Sequence, residues 1–253
     1  MDLNGQAALV TGGGSGLGAA TAAALAGAGA RVTVADLNPE AAAGVAARIG
    51  GLAVACDVTD AASAVGAFAA ARQAHGPLRV LVNCAGVGTA GRVVGRDGAL
   101  ALDAFEKVIR VNLIGSFNML RLAAAEMSAA APLEQDERGV IINTASIAAY
   151  DGQIGQCAYA ASKAGVVGLT LPAARELARA GVRVVTIAPG LFLTPMLSAL
   201  PDDIRKGLGD SVPFPPRLGD PSEYAALVLH ICANRMLNGE TIRLDGALRM
   251  APR

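Results

Sequence analysis

Seven short apolar runs punctuate the chain: Ala7 to Thr11, Val32 to Asp36, Ala53 to Asp57, Val80 to Asn83, Val140 to Thr144, Val182 to Ala188 and Thr241 to Leu244. Most are nearly continuous in apolar residues instead of alternating with polar ones, the pattern of strands buried on both faces. Between them lie longer segments of helical character, such as Ala61 to Ala74 and Leu102 to Met127. Strands alternating with helices build βαβ units. The chain therefore predicts an α/β fold, a doubly wound parallel sheet of about seven strands with helices on both faces, in a single domain over residues 1-253. Ligands of such sheets bind beyond the carboxyl ends of the strands. Gly12, Asp36, Asp57, Asn83, Ser146 and Pro189 all fall at those ends, which gathers the polar chemistry on one edge.

The first strand runs into Thr11-Gly12-Gly13-Gly14-Ser15-Gly16-Leu17-Gly18, followed by an alanine-rich helical stretch from Ala19 to Ala28. Glycines at 12, 16 and 18 let the backbone turn sharply, approach a pyrophosphate closely and pack helix against strand, with amide N–H groups and the positive helix end facing the phosphates. A glycine-rich turn alone is equally compatible with a plain loop. Asp36, closing the second strand eighteen residues beyond Gly18, stands where a ribose-binding acid is expected, although it also suits a helix N-cap. Strand, glycine turn, helix and acid together predict a Rossmann-type dinucleotide site. No Lys-Ser/Thr pair closes the glycine tract, so a P-loop is excluded. The Asp36 carboxylate favours NAD over NADP, since Ser15 and Leu37 supply no cation for a 2′-phosphate.

Two segments break the alternation. Ala131 to Arg138, with Pro132 and four charged residues, reads as solvent-exposed filler. Leu191 to Pro221 is rich in proline yet carries Leu191, Phe192, Leu193, Met196, Leu197, Leu200 and Phe214, which predicts a substrate lid, the alternative being an apolar loop docked permanently on the core.

Charge and composition narrow the classes. Lysine plus arginine equals aspartate plus glutamate, the pI is about 6.7, and no block of like charge appears, so a nucleic-acid partner is not expected. No apolar run reaches the roughly 18 residues of a membrane span. Met1-Asp2-Leu3-Asn4 leads almost directly into the first strand without a signal or transit pattern, giving an expectation of cytoplasmic residence. Cys56, Cys84, Cys157 and Cys232 form no C-x-x-C pair and are expected as buried free thiols, and no metal site is expected. His75 and His230 sit in no catalytic setting, which argues against a Ser-His-Asp hydrolase.

The fifth of these strands ends Asn143-Thr144-Ala145-Ser146, and thirteen residues on comes Tyr159-Ala160-Ala161-Ser162-Lys163. Tyrosine and lysine at i, i+4 share a helix face, so the ammonium is expected near the phenol, favouring its ionised form. Taken alone the pair is common on helices. Combined with the glycine loop, it carries a resemblance to the short-chain dehydrogenase/reductase family that covers almost the whole chain. That resemblance implies a catalytic set of Asn112, Ser146, Tyr159 and Lys163. By that resemblance Tyr159 is expected to exchange a proton with the substrate hydroxyl, Ser146 to hydrogen-bond the same oxygen, Lys163 to hold the nicotinamide ribose and Asn112 to support a relay water. For the cofactor it implies Gly12, Ser15, Gly16, Leu17, Gly18, Asp36, Asp57, Val58, Asn83, Ala85, Gly86, Tyr159, Lys163, Pro189, Gly190, Phe192 and Thr194. Cys84, where many members have Asn, is expected to matter little.

Gly139 to Ser146, Gly152 to Gln156, Ile187 to Phe192, Val212 to Pro221 and Asn238 to Gly246 resemble more narrowly the type 2 3-hydroxyacyl-CoA dehydrogenases. This implies an acyl-CoA substrate met by Ser146, Gln153, Gln156, Tyr159, Leu191 and Leu193, a role in fatty acid metabolism and a homotetramer. Leu193 replaces a usually small residue, and Arg205, Lys206 and Arg217 are candidates for CoA phosphates. A steroid or other secondary-alcohol dehydrogenase, an NADPH-dependent 3-oxoacyl reductase and a non-enzymatic dinucleotide-sensing scaffold are the alternatives.

Overall fold

The computed structural model describes all residues but 97, 199 and 253, and the side chain of Met196 lies outside the described set as well. The strands are β1 (Ala7–Thr11), β2 (Arg31–Asp36), β3 (Leu52–Ala55), β4 (Leu78–Asn83), β5 (Val94–Gly95), β6 (Gly98–Ala99), β7 (Gly139–Thr144), β8 (Val182–Pro189) and β9 (Thr241–Leu244). Seven of them form one parallel sheet in the order β3-β2-β1-β4-β7-β8-β9, as the apolar runs predict. The order reverses at β1 and β4, which opens a crevice at their carboxyl ends. The third run stops short of Asp57. β5 and β6 make a small antiparallel hairpin whose two-residue strands gave no apolar run to read.

The helices are α1 (Gly16–Gly27), α2 (Pro39–Ile49), α3 (Ala61–His75), α4 (Leu102–Ile109), α5 (Ser116–Ala129), α6 (Cys157–Leu177), α7 (Pro195–Ser198), α8 (Asp202–Asp210) and α9 (Pro221–Ala233). Strand side chains alternate between two cores. Val10, Val34, Val82 and Ile142 point toward α1 and α9, where Leu25, Val228 and Ile231 are buried. Leu9, Leu81, Ile141 and Val184 point the other way, onto Phe68, Met119, Met127 and Ala174 of α3, α5 and α6.

α4 and α5 form one continuous helix, joined by a π-turn over Arg110–Gly115. A side chain at Gly115 would lie 2.6 Å from Val58 Cγ2, so close packing requires glycine there. The 28-residue helix is apolar and long enough to cross a membrane by composition, but half of its most apolar window is buried within the protein.

The segment read as filler is otherwise. Glu137 is only 5% exposed and meets three cations: the Met1 ammonium at 3.3 Å, Arg183 Nη2 at 2.8 Å and Arg235 Nε at 3.1 Å. Charge count along a segment cannot reveal that one of its carboxylates turns inward to partners from distant parts of the chain. Cys157 is exposed at the start of α6, against the expectation of buried thiols; Cys56 and Cys232 are buried and Cys84 is intermediate.

Candidate active site

Helix capping distinguishes α1 from α2, α3 and α9. Asn38 accepts from the amides of Glu40 and Ala41 at the start of α2, Asp60 from Ser63 at α3, and Asp220 forms a capping box with Glu223 at α9. At α1 the N-cap is Ser15, whose side chain makes no capping bond, and no acid occupies the first turn. The end of α1 thus keeps its positive potential for an anion.

The preceding loop fits a dinucleotide. Gly12 and Gly16 have φ of 59° and 51°, a region costly for residues with a Cβ. A Cβ at Gly12 would sit 2.8 Å from the Ala85 backbone, and one at Gly18 would sit 2.2 Å from the Gly12 carbonyl oxygen. Asp36 closes the cradle. Its Oδ2 accepts from the Gly14 amide at 2.9 Å and its Oδ1 from Asn38 at 2.9 Å, so Asn38 is the helix cap and Asp36 faces the loop. Thr194 and Pro195 come to 3.5 and 3.3 Å of the position a Cβ on Gly16 would take, bringing the turn after β8 over the glycine loop.

Several of the expected cofactor residues have side chains engaged with the protein. Asn83 is 2% exposed and its Nδ2 donates to Asn143 Oδ1 and the Ser116 carbonyl, so its side chain locks β4 to β7 and α5 while leaving the Ala85-Gly86 backbone facing the crevice. Asp57 Oδ1 accepts from the amide and hydroxyl of Thr59, both at 2.8 Å, a turn that presents Val58 with its side chain buried. Phe192 is buried in the core against Gly219, in a parallel bridge that joins the two ends of the lid, and it lines a cavity with Leu191 and Val212. Gly190 must be glycine because a Cβ would lie 2.9 Å from Asp245.

The catalytic candidates converge. Ser146 follows β7, and its Oγ accepts from the Ala148 amide at 3.1 Å. Tyr159 and Lys163 share a face of α6, with Lys163 Nζ 5.8 Å from the Tyr159 ring centroid. Nζ donates to the Thr144 carbonyl at 2.7 Å, and Lys163 is 5% exposed. Burial lowers the lysine pKa to about 8. The expected lowering of the phenol pKa is not found: burial raises Tyr159, and the Ser146 hydroxyl only partly offsets this. The ammonium is turned to the Thr144 carbonyl, and a desolvated phenolate is disfavoured. Asn112 in the π-turn is fully buried, with Oδ1 accepting from Val87 N and Nδ2 donating to Val87 O and Ser162 Oγ. Its amide fixes the strand-end loop and α6 together, with both amide hydrogens given to protein groups.

Substrate-side expectations are redistributed too. Leu191 packs with Ile147, Val212, Leu248 and Met250 into an apolar patch beside a cavity of about 240 Å³, while Leu193 remains 42% exposed. The segment read as a proline-rich lid carries α7 and α8. Gln156 donates to Gln153 Oε1, and Gln153 Nε2 to the Ala251 carbonyl, so both amides hold the C-terminal tail against the segment between Ser146 and Tyr159. Arg243 was missed by sequence reasoning. From β9 it pairs with Asp151 at 2.6 Å and Asp245 at 2.7 Å and clamps the same segment. Arg205, Lys206 and Arg217 each pair with a carboxylate, Asp202, Asp210 and Glu223 respectively.

This arrangement can hold a dinucleotide across the strand ends and offer a phenol, a hydroxyl and a buried ammonium to an oxygen beside it. Comparison with known proteins agrees. Residues 6–205 match the family described as short chain dehydrogenase. The 3-hydroxyacyl-CoA dehydrogenase type-2 of Drosophila melanogaster is 52% identical over 97% of this chain and 98% of its own, and that of Homo sapiens 49% over 99% and 97%. The crystal structure of 3-hydroxyacyl-CoA dehydrogenase type-2 from Mycobacterium avium superposes with a TM-score of 0.95 at 45% identity, covering 98% of both chains. With glycine loop, Ser-Tyr-Lys cluster and these full-length similarities in agreement, the chain belongs to the short-chain dehydrogenase family and is an oxidoreductase using a nicotinamide dinucleotide.

Proposed function

We propose that the protein interconverts a 3-hydroxyacyl-CoA and its 3-oxo form with NAD as the cofactor. The observation that carries the reading is the meeting of Ser146, Tyr159 and Lys163, with the Ala85-Gly86 backbone between Lys163 and Gly12. Bound NAD supplies a hydride acceptor, and NADH the donor. The chain's own residues do the rest. Ser146 and Tyr159 hold the substrate oxygen, and the Tyr159 phenol gives or takes its proton. Lys163 and the Thr144 carbonyl form a fixed polar floor beneath them. The apolar patch around Leu191, Val212 and Leu248 keeps an acyl chain aligned and water away, fixing the geometry that hydride transfer requires.

Asp36 supports NAD: its carboxylate, fixed at Gly14, suits a ribose hydroxyl and repels a phosphate. The acyl assignment draws on the names of relatives near 50% identity and on the apolar wall; the three basic residues considered for CoA phosphates have carboxylate partners already. Ipsdienol dehydrogenase of Ips pini, 37% identical over 95% of this chain, supports a second reading as a dehydrogenase of another secondary alcohol. Oxidation of NADH with acetoacetyl-CoA is the expected activity. Efficient reduction of a steroid or terpenoid ketone without turnover of acetoacetyl-CoA overturns the acyl-CoA reading and leaves the dehydrogenase. The same reading includes a homotetramer and cytoplasmic residence, the latter supported by four unpaired cysteines.

A further inference from the structure

Beneath Lys163 lies a buried polar cluster of which the reaction above uses only the Thr144 carbonyl. Tyr224, in the first turn of α9, is fully buried, and its hydroxyl is 2.7 Å from Thr144 Oγ1. Thr144 Oγ1 spends its single hydrogen on the Asn83 carbonyl at 2.6 Å, so the Tyr224 hydroxyl is the donor to Thr144. The carbonyl of the same Thr144 accepts from Lys163 Nζ. Tyr224 and Asn83 therefore pin the threonine whose main chain holds the ammonium. Cys84 completes the cluster, its Sγ 3.6 Å from Thr144 Oγ1 and 3.9 Å from the Tyr224 hydroxyl. An asparagine at 84 would bring a larger amide group competing for the same hydroxyls. The departure at Cys84 thus matters: the small thiol leaves the Tyr224 hydroxyl to Thr144.

We propose that Tyr224 is a positioning residue for the catalytic lysine, acting through Thr144 to fix the carbonyl on which Lys163 rests. Lys163 is buried, so little solvent competes for its protons, and the placement of its acceptor governs both its orientation and the ease with which it stays charged. The titratable groups facing Nζ are the Tyr159 phenol from α6 and the Cys84 thiol after β4. Tyr224 also lies four residues past Asp220, at the end of the lid segment, and so ties that segment to the catalytic floor.

The inference rests on Lys163 being catalytic, and Lys163→Met tests that separately: full turnover there overturns the lysine's role itself. For the clamp, the measurements are NADH oxidation with acetoacetyl-CoA and NADH binding, followed by the dinucleotide's own fluorescence, both across pH. Tyr224→Phe keeps the ring and so the packing. It is expected to lower kcat by about threefold or more with KM nearly unchanged, and to move the loss of binding at high pH downward by about half a unit, because a less well-held ammonium gives up its proton more readily. Thr144→Val should reproduce these effects, the double variant should be no worse than Thr144→Val alone, and Thr144→Ser should restore them. Unchanged kcat and pH profile in Tyr224→Phe, a drop in melting temperature alone, or additive losses in the double variant overturn the clamp. If Thr144→Val does not fold, the Tyr224→Phe profile decides.

Discussion

Lys163 Nζ lies 5.8 Å from the centroid of the Tyr159 ring, one helical turn away on α6, yet its hydrogen bond runs to the Thr144 carbonyl at 2.7 Å. The two residues share a face without sharing a hydrogen bond. The phenol therefore stays protonated in the free enzyme, ready to donate in the reductive direction, while the ammonium serves as a nearby charge and a binding group.

Tyr159→Phe removes only the proton-transfer oxygen. Turnover is expected to fall by about 10²–10⁴-fold while NADH binding changes little, because the ring still packs and Lys163 keeps its Thr144 contact. Steady-state kinetics alongside fluorescence titration check this; a variant retaining most of its kcat refutes the assigned role.

Asp36→Ala tests cofactor choice. The wild type is expected to prefer NAD strongly, and the variant to lose about ten- to a hundredfold in kcat/KM with NAD as a charge-assisted hydrogen bond disappears, while gaining with NADP. Equal wild-type efficiency with the two dinucleotides contradicts the assignment.

Glu137→Gln is expected to destabilise the fold by about 3–5 kcal/mol, since it leaves buried cations without their carboxylate. Burial on its own would raise the Glu137 pKa, but Arg183, the N-terminal ammonium and Arg235 outweigh it and hold the value below the ordinary carboxylate range. A depressed folded-state pKa gives stability that is complete above the unfolded value, about 4.3, and is lost as pH falls toward the folded one. Melting temperature against pH should drop more steeply below about pH 4.5 in the wild type than in Glu137→Gln. Parallel curves would count against the buried cluster as a source of acid sensitivity.

A homotetramer is expected at micromolar concentration. Ile114 and Phe117 on the long helix and Leu171 on α6 are 47%, 52% and 43% exposed, apolar surface suited to a symmetric subunit contact. Light scattering reports the mass directly, and Phe117→Glu should shift it downward. A monomeric wild type rejects this expectation.

Local pattern determined the sheet, the glycine cradle and the catalytic pair. Continuous apolar runs such as Val80 to Asn83 cannot be stable as exposed segments, and the positive φ of Gly12 and Gly16 is a demand that glycine meets within a few residues. Tyr159 and Lys163 are joined by helix geometry alone. What lay beyond the sequence was which side chains distant along the chain bond to one another. Glu137 looked like loop charge until folding set it against Arg183 and Arg235. The π-turn that buries Asn112, and the turning of Asn83 and Phe192 into the core, depend on which neighbours a side chain meets, and periodicity carries no record of that. Tyr224 and Thr144 stand 80 residues apart, and only the return of α9 across the sheet brings the hydroxyl to the threonine that holds Lys163. Short-range periodicity is written in the chain itself, whereas hydrogen bonds between distant segments are decided by tertiary packing.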